Sequence, residues 1–117
     1  MTQNLTDKTG TPVDVRVTPK GNAYAIYLDG ADRWAGATYF LDRGEERIFF
    51  HTTVGEEYAG RGLAGILVEN ALADTRAHGL TVIPVCPFVR SWTGKKEWDG
   101  PLRQPTEEDL AFVAEHS

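Results

Sequence analysis

The sequence predicts a single α+β (mixed α/β) domain in which an antiparallel meander leads into a parallel strand pair bridged by a long helix. Three observations predict it. The chain has 117 residues, enough for one modest core and too few for two. Residues 13–54 hold four short strand-like runs joined by turn-rich segments, as neighbouring antiparallel strands require. From Leu63 onward the apolar spacing changes to threes and fours, and a short apolar run follows. Strand, helix and strand in that order imply a right-handed crossover to a parallel neighbour.

Residues 1–11 are polar and read as a disordered tail. VDVRV at 13–17 alternates apolar and polar, and PKGN at 19–22 has the residues of a hairpin turn. AYAIYL at 23–28 puts Tyr24, Ile26 and Leu28 on one face, and Asp29-Gly30 signals the next turn. WAGATYFL at 34–41 and the β-branched and aromatic RIFFHTTV at 47–54 are the third and fourth strands. Leu63, Ile66, Leu67, Ala71 and Leu72 mark one face of a helix over 63–78, with Gly79 where a left-handed cap belongs. LTVIPVC at 80–86 reads as a buried strand, but Pro84 cannot donate to a ladder. The strand is therefore an edge there, or splays from its neighbour. Residues 88–97 form a short helix broken at Gly94, and Thr106 with Asp109 opens a last helix over 107–115.

Composition narrows the function. The formal net charge is −5 with no block of lysine or arginine, which argues against a nucleic-acid partner. The acidic balance suits a cationic small molecule or peptide. Cys86 is the single cysteine, so an internal disulfide and a cysteine-rich zinc site are excluded. The polar start lacks the apolar core of a signal peptide, and no run of ~18 apolar residues exists. The expectation is a cytoplasmic chain without a membrane partner; its oligomeric state is not legible.

EEYAGRGLAGILVENAL at 56–72 places Gly60, Gly62 and Gly65 where the helical pattern begins. Inside a helix glycine costs roughly 1 kcal/mol relative to alanine. GRGLAG fits the dinucleotide pattern G-x-G-x-x-G, but there the glycines follow their strand at once. Here GEEYA intervenes after Val54, and no acid closes the next strand to hold a ribose. Gly55 and Gly60 have P-loop spacing, yet Arg61-Gly62 stands where Lys-Ser/Thr is needed. Two readings remain. Either the glycines only turn the chain, or the loop amides and helix N-terminus bind a pyrophosphate, with glycine clearing the approach.

The run HTTVGEEYAGRGLAGILVENALADTRAHGLTVIPVCPFV resembles the GNAT acetyltransferases, most of all a small subgroup without the usual N-terminal helices. That subgroup reads His-Thr-x-Val at a strand end, Gly-x-Gly at a helix start, then Pro-x-Cys-Pro-(Phe/Tyr). The matching residues are His51, Thr52, Val54, Gly60, Gly62, Pro84, Cys86, Pro87 and Phe88. The similarity runs from about residue 13 to 98 and is most specific over 51–89. The resemblance implies a GNAT-like sheet whose parallel strand pair is splayed. It implies an acetyl-CoA-binding domain over 12–99 and a C-terminal extension over 100–117. It also implies a coenzyme A site at Thr52, Thr53, Val54, Ala59, Gly60, Arg61, Gly62, Leu63, Ala64, Phe88 and Trp92. The family's pyrophosphate loop, Arg/Gln-x-x-Gly-x-Gly/Ala, is matched by Ala59, Gly62 and Ala64. Ala59 departs from it, so a weaker or differently anchored coenzyme A is expected, with Arg61 as a substitute charge.

The implied reaction is acetyl transfer from acetyl-CoA to a primary amine of a small molecule or peptide. The amine must lose a proton, the thioester oxygen needs a donor, and the departing thiolate takes up a proton. A free N–H near residues 52–54 would serve the oxygen. His51 is the first candidate base, with Glu56 and Glu57 as alternatives; the plainer readings are a packed histidine and acids that offset a helix dipole. Cys86 is either an acyl-accepting or proton-shuttling thiol, or a small buried apolar residue. Where many members of the family carry a tyrosine to protonate the thiolate, Trp92 stands here, and an indole N–H does not release its proton. Ala59 and Trp92 favour one rival, a non-catalytic acyl-CoA-binding sensor or scaffold protein. The other rival is an interaction protein whose glycines only turn the chain.

Overall fold

Strand pairing follows chain order in the computed structural model, which describes residues 5–31, 33–58, 60–96, 98 and 100–117. The sheet runs β1 (Leu5–Thr6), β2 (Pro12–Val17), β3 (Ala23–Leu28), β4 (Gly36–Arg43), β5 (Glu46–Val54) and β6 (Thr81–Pro84). All neighbours are antiparallel except β5 and β6, which are parallel. A 3-10 turn at Glu56–Tyr58 leads into α1 (Leu63–Ala77), the crossover helix between β5 and β6. Helices α2 (Pro87–Lys95) and α3 (Glu107–His116) complete the chain. The α+β class and the meander-to-parallel topology are as the hydrophobic pattern demands.

The core lies between α1 and one face of the sheet. Leu63, Leu67, Val68, Ala71 and Leu72 of α1 pack on Tyr24, Ile26, Phe40, Phe49 and Val82. Burying a Leu or Phe side chain contributes about 1.5–3 kcal/mol, so this stripe sets the position of α1. Polar bonds tie its far end: the Tyr24 hydroxyl donates to Asp74 Oδ2 at 2.6 Å and accepts from Arg47 Nη1 at 2.6 Å. Burial, and then the Asp74 carboxylate, push that phenol up to about 12.

Several expected boundaries move, each for a physical reason. Trp34 precedes β4, which begins at Gly36, and its side chain is 41% exposed. Helix α2 runs unbroken through Gly94 to Lys95, because buried Val89 and Thr93 hold it and Lys96 N–H donates to Trp92 O. Strand β6 stops at Pro84, since Val85 N–H turns back onto Ile83 O at 3.1 Å. Residues 5–11, expected to be disordered, are instead part of the fold. Leu5 and Thr6 pair with Val13 and Pro12, and the buried Asp7 carboxylate organises the turn. Its Oδ1 accepts from Thr9 N–H (2.8 Å), Thr9 Oγ1 (2.6 Å) and Thr11 N–H (3.0 Å). Residues 1–4 of the expected tail lie outside the described residues.

The extension after residue 100 is also integrated. Val82 N–H donates to Pro101 O and Arg103 N–H to Val82 O, so the segment pairs with the outer edge of β6. Asp109 then sits with no side-chain exposure among Arg43, Arg103 and the Thr106 cap. Among the described residues no helix is long and apolar enough to cross a membrane.

Candidate active site at the opening between two strands

Strand parity builds the site. Thr81 N–H donates to Glu45 O, on the β5 side, and Val82 N–H donates outward to Pro101 O. Alternation then turns the Pro84 nitrogen outward as well, past the last bridge at Leu102. The missing N–H therefore costs no bond to β5. The β5–β6 ladder ends at Phe49 and Pro84, closed by Cys86 N–H donating to Phe49 O at 2.8 Å. β5 continues to Val54 paired with β4, so an opening forms between its last residues and the start of α2. Of the two alternatives expected at Pro84, the edge is present there, while Pro84 is still paired with Phe49 and the strands part only beyond it.

A bulge decides which groups face that opening. Tyr39 pairs with His51 but Phe40 with Phe49, leaving Phe50 as an extra residue. Simple alternation would put His51 on the Phe49 face, against α1; the bulge reverses it. Gly55 N–H donates to Ala35 O, so residues 51, 53 and 55 direct their backbone groups at β4. The backbone N–H and C=O of Thr52 and Val54 face the opening.

Thr52 and Cys86 come together on the α1 side of the sheet. Cys86 is buried at the N-cap of α2, and its Sγ–H donates to Thr52 Oγ1 at 3.3 Å. Thr52 Oγ1 lies 2.9 Å from Thr38 Oγ1 across the strand pair. His51 sits on the other face, exposed, its ring 5.8 Å from that of Tyr39. Thr53 shares that face, in a cleft of about 460 Å³ that Tyr39, Phe50 and His116 also line. The two expected catalytic residues thus flank β5 from opposite sides and share no contact.

The glycine loop follows β5 and the 3-10 turn and leads into α1. Gly60 and Gly62 have φ of 82° and 76°, which side chains disfavour. Gly65 differs: it is helical, and a Cβ there would meet nothing within 4 Å. The fold explains the first two glycines and gives no reason for the third. Helix α1 has no side-chain cap and no acid in its first turn. Ile66 N–H reaches Gly62 O at 3.3 Å, leaving the Leu63, Ala64 and Gly65 amides as the unpaired first turn. The Leu63 side chain is buried in the core, so its amide alone can serve a ligand. Ala59 lies outside the described residues.

Arg61 is already engaged. Its Nε donates to Asp7 Oδ2 at 2.7 Å and its Nη2 to Thr11 Oγ1 at 3.0 Å. Burial acts to raise the Asp7 carboxyl, but the bonds from Thr9, Thr11 and Arg61 outweigh it and bring its pKa to about 2. The expected substitute charge is therefore matched by a carboxylate within the chain. Asp7 was not singled out in the sequence, although D-x-T-x-T is an Asx-turn pattern. Phe88 and Trp92 lie one turn apart on α2; Phe88 is 40% exposed, and Trp92 packs on the core and on Trp98 at 6.3 Å. Glu56 and Glu57 are exposed on the turn before the loop.

None of the curated proteins matches the chain. The sequence model of the family described as GCN5-related N-acetyl-transferase matches residues 23–99, which span β3 to α2 and include the glycine loop and Cys86. With most of its length matched, the chain belongs to the GCN5-related N-acetyltransferase family.

Proposed function

We propose that the protein transfers an acetyl group from acetyl-CoA to a primary amine. The observation that carries this reading is the uncapped first turn of α1, which follows β5 through one short turn, together with the flank that β5 leaves unpaired beyond Phe49. The residues fit coenzyme A. Three free amides and a dipole suit a diphosphate, and open space over Gly65 lets it approach. The unpaired Thr52 and Val54 groups suit an amide-bearing arm laid along β5 like another strand. When bound, acetyl-CoA supplies an activated acetyl thioester.

The chain's own residues would do the rest. A β5 N–H facing the opening donates to the carbonyl oxygen as charge gathers on it. The opening lies in the plane of the sheet, so it is approached from both faces. His51, on the outer face, takes the proton that the incoming ammonium must shed. Cys86, fixed by Thr52 on the inner face, is the proton-bearing group of the other wall, and Phe88 and Trp92 exclude water there.

Thermal shift with acetyl-CoA, coenzyme A and adenosine diphosphate tests binding, and thiol release over a panel of amines tests turnover. Stabilisation by all three and release with an amine is the expected result. Binding without release from any amine would favour a non-catalytic acyl-CoA sensor, a reading to which the non-titrating Trp92 lends weight. No shift with any ligand would sink the coenzyme reading altogether. Full activity in Cys86→Ala would reduce that thiol to packing.

A further inference from the structure

We propose that residues 5–11 form one wall of the phosphate site, with Lys8 as its anion-contacting residue; the proposal rests on the acetyl-CoA reading. This segment lies outside the span matched to the family. It is nevertheless held against the glycine loop by three bonds: Arg61 Nε to Asp7 Oδ2 (2.7 Å), Arg61 Nη2 to Thr11 Oγ1 (3.0 Å) and Lys8 N–H to Arg61 O (3.0 Å). The clamp lays the Lys8 side chain across Gly62. A Cβ on Gly62 would stand 3.2 Å from both Cγ and Cε of Lys8. The Lys8 ammonium therefore emerges at the N-terminus of α1, where the free amides gather.

Charge makes Lys8 necessary there. Arg61 is matched by Asp7, and the preceding turn carries Glu56 and Glu57. Without another cation the loop presents net negative charge to a diphosphate, which the amides and dipole alone must overcome. No carboxylate among the described residues pairs with Lys8, so its charge is available to a ligand. The Asp7–Arg61 pair is then a positioning device: it fixes the backbone on which Lys8 is carried.

Isothermal titration of the full chain and its Lys8→Met and Lys8→Arg variants tests this, with coenzyme A, adenosine diphosphate and pantetheine as ligands. Lys8→Met should weaken coenzyme A and adenosine diphosphate by about tenfold and leave pantetheine unchanged, as loss of one charge-assisted bond predicts. Its dependence on salt should be shallower than that of the parent, Lys8→Arg should restore affinity, and the ligand-free melting temperature should not move. Equal coenzyme A affinity in parent and Lys8→Met overturns the wall and leaves the coenzyme reading standing. Failure of the parent to bind coenzyme A removes the reading beneath it.

Discussion

Helices α1 and α3 begin in opposite ways. At α3 the Thr106 hydroxyl accepts from Asp109 N–H, and Asp109 Oδ2 accepts from Thr106 N–H at 2.7 Å. Glu107, Glu108 and Asp109 fill the first turn with negative charge. Helix α1 starts at Gly62, with no side-chain cap and no acid in its first turn. Both ends carry the same partial positive charge and the same free amides. One is satisfied from within the chain. The other lacks what stability alone would place there, and its Gly65 fills no steric need. A missing stabilising feature at one end, beside a complete one at the other, is what the proposed coenzyme site requires of α1, since a bound diphosphate would take the place of the cap.

The sharpest way to break the contrast is to give α1 what α3 has. Gly65→Glu puts a carboxylate in the open first turn. Coenzyme A affinity should fall about 100-fold or more through like-charge repulsion. The ligand-free fold should gain about 0.5–1 kcal/mol from better helix propensity and a favourable dipole contact. Titration calorimetry beside urea denaturation reads both. A more stable protein that still binds coenzyme A would show that the anion does not sit on α1.

The converse change belongs to α3. Asp109→Ala strips the buried carboxylate from Arg43, Arg103 and the cap. Breaking a buried pair costs about 3–5 kcal/mol; Arg103 keeps 36% exposure, which puts the expected loss nearer 2 kcal/mol. Coenzyme A affinity should stay unchanged. A matching fall in affinity would mean that the two ends are not functionally distinct.

Local signals made the contrast partly readable in advance. Thr106 and Asp109 spell a cap within four residues, and Leu63, Leu67, Ala71 and Leu72 fix the inner face of α1. Gly60 and Gly62 announce a loop because their φ values exclude most side chains. What stayed hidden depends on distant or irregular geometry. Asp7 is ordered by Arg61, 54 positions away, and no local pattern foretells that partner. The bulge at Phe50 sends His51 to the outer face, and one extra residue in a strand leaves no mark on composition. Pro84 was ambiguous for the same reason: which way its nitrogen points is a property of register.

Acid should loosen both the α3 cap and the segment clamped to the glycine loop, since each leans on a depressed carboxylate. Arg103 first, with Arg43 and the Thr106 backbone, holds Asp109 well below the usual range against the effect of burial, and Asp7 lies at about 2. A carboxyl whose folded pKa is lowered stabilises fully above its unfolded value, about 3.9, and loses that contribution as pH falls through the folded value. Residues 5–11 should therefore lose hydrogen-exchange protection between about pH 4 and about pH 2, and Asp7→Asn should remove their protection already at neutral pH. Protection unchanged across that window would mean that the Asp7–Arg61 clamp does not hold the segment.

The mildest test separates the two halves of the α3 cap. Thr106→Ala deletes the hydroxyl that accepts from Asp109 N–H at 3.4 Å, a long bond, and donates to Asp109 Oδ2 at 3.1 Å. It leaves that Oδ2 on Thr106 N–H at 2.7 Å. Loss of a threonine cap costs about 0.5–2 kcal/mol, and the long bond places this one at the low end. The melting temperature should drop by roughly 2–4 °C for a domain of this size. Coenzyme A binding should not change, because the hydroxyl bonds only within the cap, accepting from Asp109 N–H and donating to Asp109 Oδ2. A drop as large as that of Asp109→Ala would mean that the hydroxyl, and not the carboxylate, closes this end. The contrast with α1 would then rest on one threonine rather than on charge.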